Sequence, residues 1–108
     1  MKAALLLVVL AALLAACGSD ESATPVATTE VVMPKSYRFE PKAIEVTAGA
    51  TVTWRNEDNF THTVEVEGQG DRKVEPGESV SIGFAEPGTY EYVCTLHSHD
   101  MRGTVIVR

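Results

Sequence analysis

Near its C-terminus the chain carries a thiol, an imidazole and a thioether on one short stretch, Tyr90-Glu91-Tyr92-Val93-Cys94-Thr95-Leu96-His97-Ser98-His99-Asp100-Met101-Arg102-Gly103. Up to Cys94 apolar and polar residues alternate as on a half-buried strand, and Gly103 to Val107 alternates again. The intervening loop therefore joins two strands, and Cys94, His97 and Met101 project from one hairpin. Soft sulfur donors combined with imidazole suit copper, and two histidines, one cysteine and a weak axial methionine make the type 1 copper set. His62, at the start of another expected strand in Phe60-Thr61-His62-Thr63-Val64, supplies the second imidazole. A Cys-x2-His pair alone is weak evidence, because zinc sites use the same spacing. The whole set, in order and on strand ends, is specific.

These residues lie in a longer pattern: Phe39-Glu40-Pro41 and Ile44 to Asp58, then Thr61-His62-Thr63-Val64, then Tyr90 to His97 and Met101 to Val105. Across roughly residues 36 to 107 the chain resembles the cupredoxins, the small plastocyanin-, pseudoazurin- and halocyanin-like blue copper proteins. The resemblance implies an all-β Greek-key sandwich holding one type 1 copper ion, with His62, Cys94, His97 and Met101 as ligands. It further implies that Cys94 dominates the metal bond and that Met101 tunes the potential. His62 would be the inner imidazole, while the His97 ring edge reaches the surface and passes electrons. The Thr63 amide would donate a hydrogen bond to the Cys94 sulfur. Asn56 and Asp58 would fix the loop bearing His62. Phe60 and Leu96 would either form an apolar docking surface around His97 or be ordinary surface packing. His99 is the alternative ligand, giving a Cys-x4-His spacing as in azurin-like proteins; Cys-x2-His fits the rest of this loop better. Ser98 departs from the family, in which proline often follows the second histidine, so the loop is expected to be less stiff.

At the other end, Met1-Lys2 and the apolar run Ala3 to Ala16 have the charged start and hydrophobic core of an export signal, too short to span a membrane. The junction Leu14-Ala15-Ala16-Cys17-Gly18 looks like the lipobox of bacterial lipoproteins, which implies cleavage before Cys17 and lipid on its sulfur. An ordinary signal peptide cut at Ala-x-Ala-like residues is the alternative. The expected organisation is a signal peptide over 1–16, a lipid-anchored flexible linker over 17–33 and a copper-binding domain over 34–108. The linker is small, polar and without helical periodicity, and as a coil would reach about 20 Å.

Residues 18–108 hold eight Lys and Arg against fifteen Asp and Glu, a net charge of −7. That balance argues against nucleic acid. It suits docking to a basic patch on a redox partner, or simply solubility. With Cys17 assigned to lipid, Cys94 has no partner for an intrachain disulfide, so in an oxidising compartment it is either buried and inert or bonded to metal.

Seven strands are expected: Tyr37–Phe39, Ile44–Thr47, Thr51–Asn56, Thr63–Glu67, Ser79–Phe84, Thr89–Cys94 and Thr104–Val107. Gly and Pro turn signals such as Pro76-Gly77 and Pro87-Gly88 separate them. Ile44, Val46, Val52, Trp54, Val64, Val66, Val80, Ile82, Phe84, Tyr90 and Tyr92 share the inward parity, and Glu45, Arg55, Glu65, Glu67 and Glu91 the outward one. The function expected is single-electron transfer between redox donor and acceptor proteins, such as membrane respiratory or photosynthetic complexes, by a monomer on the outer face of a bacterial membrane. A copper-delivery protein of the envelope is the alternative. An enzyme is disfavoured, because the chain lacks the His-Cys-His motif of multicopper oxidases and the second loop cysteine of a binuclear centre. A metal-free sandwich leaves the four donors unexplained as a set.

Overall fold

A computed structural model describes residues 24–97 and 99–108. The expected signal peptide over 1–16, Cys17 and Ser98 lie outside the described residues. Among the described residues nine strands follow in order: β1 (Val26–Ala27), β2 (Glu30–Met33), β3 (Ala43–Val46), β4 (Ala50–Asn56), β5 (His62–Val66), β6 (Asp71–Val74), β7 (Ser79–Phe84), β8 (Gly88–Val93) and β9 (Arg102–Val107). Among the described residues no helix is long and apolar enough to cross a membrane.

Two sheets face each other, one of six strands in the order β1-β3-β9-β8-β5-β6 and one of three in the order β2-β4-β7. Strands β1, β3 and β9 run parallel to one another, with Val26 level with Ile44 and Ile44 level with Val105. Alternation explains the core: Val52, Trp54, Val64 and Val66 have no exposed surface, and Ile82, Phe84 and Tyr92 have almost none. Val80 and Tyr90, also on the inward parity, are only partly buried and pack against this cluster. The outward set is half-exposed or exposed throughout.

Across the inner face Tyr92 lies opposite Gly103. A Cβ on Gly103 would stand 2.4 Å from the Tyr92 ring, so glycine is what admits the ring to the core. Tyr92 then meets Phe39 edge-on at 4.7 Å and Trp54 at 5.1 Å between centroids. Such pairs add about 0.5–1.5 kcal/mol to the burial of the rings themselves.

Three departures from the sequence reading bear on the site. Residues 26–33, expected to be flexible linker, form β1 and β2; Val31 and Met33 are fully buried, and β2 pairs in parallel with β4. Two inward apolar positions suffice because the neighbouring strand supplies the backbone partners. Tyr37–Phe39 is not a strand: Tyr37 sits in the left-handed region at φ 52°, and only Glu40 bridges to Val32. Phe39 nevertheless reaches the core. Finally, the polar stretch Asp71–Val74 forms β6 at the sheet edge, where only Val74 is buried; Arg72, on the same face and opposite Val64, is half-exposed, and charged residues are tolerated.

Candidate metal centre

Cys94 continues the inward parity of Tyr90 and Tyr92 just beyond β8, and His62 continues that of Val66 and Val64 at the start of β5. The alternation that builds the core thus aims both side chains into the same end of the sandwich, where each has no exposed surface. His97 joins them from the loop after β8. One donor atom each from His62, Cys94 and His97 lies within 4.8 Å of the others. His99 is exposed and is not part of this group, so the geometry favours His97 over the alternative spacing.

The loop is tied at the donor residues themselves. The His97 amide donates to the Cys94 carbonyl at 3.1 Å, the Met101 amide to the His97 carbonyl at 3.1 Å, and the Cys94 amide to the Met101 carbonyl at 3.0 Å. Met101, wholly buried, is held by these bonds beside the other donors. Strands β8 and β9 keep pairing up to Val93 opposite Arg102, so the loop closes on a fixed base.

Around the sulfur, the Thr63 amide donates to Cys94 Sγ at 3.4 Å, as the family resemblance implies. Less foreseeable is the Thr63 hydroxyl, which accepts from the Thr95 amide at 2.7 Å and meets the Thr95 hydroxyl at 2.8 Å. Thr95 in turn donates to Asp71 at 3.1 Å. This chain of contacts pins β5 to the start of the ligand loop and reaches the edge strand β6.

Behind His62, Asn56 donates from Nδ2 to the carbonyls of Phe60 at 2.8 Å and Val74 at 2.9 Å, and accepts the Asp58 amide at 2.8 Å. The loop-fixing role expected of Asn56 rests on these bonds. Asp58 goes further and touches the histidine, His62 Nε2 lying 2.9 Å from its Oδ2 with both side chains buried. Burial works to raise the Asp58 carboxyl. Hydrogen bonds from His62 and the Asn59 amide, with attraction to His62 and Lys35, outweigh it and hold the carboxyl below its ordinary value. With Nε2 so engaged, Nδ1 is the nitrogen turned to Cys94, 3.7 Å from its sulfur.

Sequence reasoning missed Tyr37, expected on a strand. Its ring meets that of His97 edge-on at 4.6 Å, that of His62 at 6.0 Å, and stacks on Phe60 at 5.6 Å. Tyr37, Phe60 and Leu96 are all substantially exposed. Tyr37 and Leu96 line an open hollow beside His97 together with His99 and Asp100, and Phe60 extends the apolar part of this rim by stacking on Tyr37. No sequence pattern marks a tyrosine in a left-handed turn as a cover for an imidazole; the cluster Pro34-Lys35-Ser36 before it signals only a turn.

A cysteine sulfur and two imidazoles converging at a buried end of the sandwich, with a buried thioether tied to the same loop, fit copper by ligand softness. Zinc also accepts cysteine and histidine, but the added thioether and the amide aimed at the sulfur belong to the copper pattern.

Residues 4–107 match the family model of the cupredoxin-like domain. Amicyanin-alpha of Methylorubrum extorquens is 36% identical over 90 residues, which cover 77% of this chain and 74% of that one. Plastocyanin of Scenedesmus fuscus is 36% identical over 84 residues, covering 65% of this chain and 86% of that one. In fold the chain is similar to a purple cupredoxin from Nitrosopumilus maritimus, with TM-score 0.70 at 23% identity over 75% of this chain and 100% of that one. By its sandwich, by the donors gathered at one end of it and by these similarities, the chain belongs to the cupredoxin-like family of type 1 copper proteins.

Proposed function

We propose that the protein is a single-electron carrier whose copper ion is held by His62, Cys94, His97 and Met101, and that it works on the outer face of a bacterial envelope membrane, anchored through lipid on Cys17. The observation that carries the electron-transfer reading is the convergence of the His62, Cys94 and His97 donors within 4.8 Å at a buried end of the fold. Copper bound by such a set cycles between Cu(II) and Cu(I) with a compromise geometry acceptable to both.

The protein's contribution is to keep the donors still. His62 is fixed from behind by Asp58, Cys94 by the Thr63 amide, and the loop by the bonds among Cys94, His97 and Met101. Donors held this way have little to rearrange when an electron arrives. Exchange with partners runs through His97, the only one of the three grouped donors with exposed surface, inside the apolar rim of Tyr37, Phe60 and Leu96. Apolar contact at this rim with acidic residues elsewhere suits a transient redox partner carrying a basic patch.

Visible absorption and electron paramagnetic resonance of the copper-loaded chain test the reading. A strong thiolate-to-copper band with narrow hyperfine splitting, bleached by ascorbate and restored on reoxidation, is expected. His97→Ala should remove that band and His99→Ala should keep it. A colourless parent, or one with ordinary tetragonal Cu(II) signals, would refute the assignment. Mass spectrometry of the envelope form should find diacylglycerol-type mass on a chain beginning at Cys17; an unmodified mature N-terminus would sink the lipid anchor.

A further inference from the structure

We propose that Asp58 is an anionic positioning residue of the metal centre: it decides which nitrogen of His62 is offered to the metal, and its buried charge biases the site toward the oxidised ion. The inference rests on the ligand assignment proposed above. The motivating observation is a carboxylate with 4% side-chain exposure, 2.9 Å from the ring nitrogen of a histidine that has none.

A carboxylate is costly to bury and is kept only where its oxygens are engaged. Here each oxygen has a donor. Asp58 Oδ1 accepts the Asn59 amide at 2.7 Å and Oδ2 meets His62 Nε2 at 2.9 Å. Its own amide is satisfied by Asn56 Oδ1, so the residue is over-determined in place. Ionised, the carboxylate can only accept, which puts the hydrogen on His62 Nε2. In the neutral imidazole the lone pair then lies on Nδ1, and Nδ1 is the nitrogen facing the Cys94 sulfur at 3.7 Å. A ring with the opposite tautomer would turn an N–H toward the place where a metal ligand is required.

The second effect is electrostatic. A full negative charge behind the imidazole, screened from water by its burial, strengthens the ring as a donor and stabilises the more highly charged metal state. Loss of such an outer partner typically costs 10–100-fold in metal affinity. Because Cu(II) feels the charge more than Cu(I), the loss should fall unequally on the two.

Asp58→Asn in the full chain separates this from a role in merely holding the loop. The amide keeps the shape but not the charge, and has one acceptor oxygen for the two donors that Asp58 satisfies. The expected result is a blue site that persists, a loss of Cu(II) affinity of about 10–100-fold, and a smaller loss for Cu(I). Each tenfold change in the ratio of the two affinities reads as a 59 mV rise in reduction potential for a one-electron couple. An unchanged ratio and potential, with the blue band present, overturns the proposal alone. Absence of the band in the parent chain overturns the ligand assignment and this proposal with it. A measurement that needs no variant guards against misfolding: nitrogen-15 NMR of the metal-free parent must find the hydrogen of His62 on Nε2, and finding the Nδ1–H tautomer overturns the proposal.

Discussion

Met33→Ala distinguishes a structural β2 from the flexible linker that the sequence suggests at this position. The side chain has no exposed surface, lies on a strand paired with β4, and stands level with Asn56, the residue that braces the His62 loop. Truncation to alanine removes about three methylene-sized groups, or about 2.4 kcal/mol at 0.8 kcal/mol per group. A residual cavity adds to this, so the total falls within the 2–5 kcal/mol seen for such changes. For a domain of this size 1 kcal/mol moves the midpoint of thermal unfolding by about 4–8 °C. A drop of at least about 10 °C is therefore expected for the metal-free protein, by calorimetry and by urea unfolding with unchanged slope. Val26→Ala, on an exposed side chain of β1, is the control and should stay within about 0.5 kcal/mol. If Met33→Ala behaves like the control, residues 30–33 do not belong to the cooperative unit.

Gly103→Ala should cost about 1–3 kcal/mol by urea unfolding, because the new methyl meets a Tyr92 ring already wedged against Phe39 and Trp54; a neutral result would mean that the ring can move. Copper should stabilise the fold by mass action, by about 2.7 kcal/mol at a free concentration one hundred times Kd, and so raise the unfolding temperature; equal melting of the two forms would count against a preformed site. The Asp58 carboxyl is depressed in the fold, so its ionisation stabilises the native state above its ordinary pKa of 3.8, and that contribution fades as pH falls through the lower folded value. In the metal-free protein Asp58→Asn should accordingly lose more stability at pH 7 than at acid pH, read by urea titrations across the range; a pH-independent difference would contradict it. Tyr37→Ala should expose His97 to carbethoxylation in the metal-free protein several-fold faster while His99 reacts unchanged, and equal His97 rates would show that the ring is no cover.

Much of the sandwich is written in a period of two. From Val64 to Val66 and from Tyr90 to Tyr92 the inward positions can be counted directly, and stepping the same count to His62 and Cys94 places both donors in the interior. Where a strand carries little of that alternation the sequence is quiet. Strand β2 commits only Val31 and Met33, and β6 only Val74, so the partner strand rather than the local composition decides their state. Tyr37 shows the opposite failure, since an aromatic followed by Phe39 suggests a strand until backbone geometry turns it outward onto His97. The Asp58 contact with His62 spans four residues, a helical spacing, but in a loop that carries no helical pattern to announce it.

The parallel run of β1, β3 and β9 fixes a direction of departure. Strand β9 leaves the ligand loop at Arg102 and travels away from it, and β1, pointing the same way, must be entered from the side of that loop. Among the described residues, Val26 stands level with Val105, midway along β9, and β1 continues from there in the same direction. All three strands of this edge therefore carry the chain away from the donor end, so that Ala27, Val46 and Val107, where they finish, lie toward the opposite pole of the sandwich.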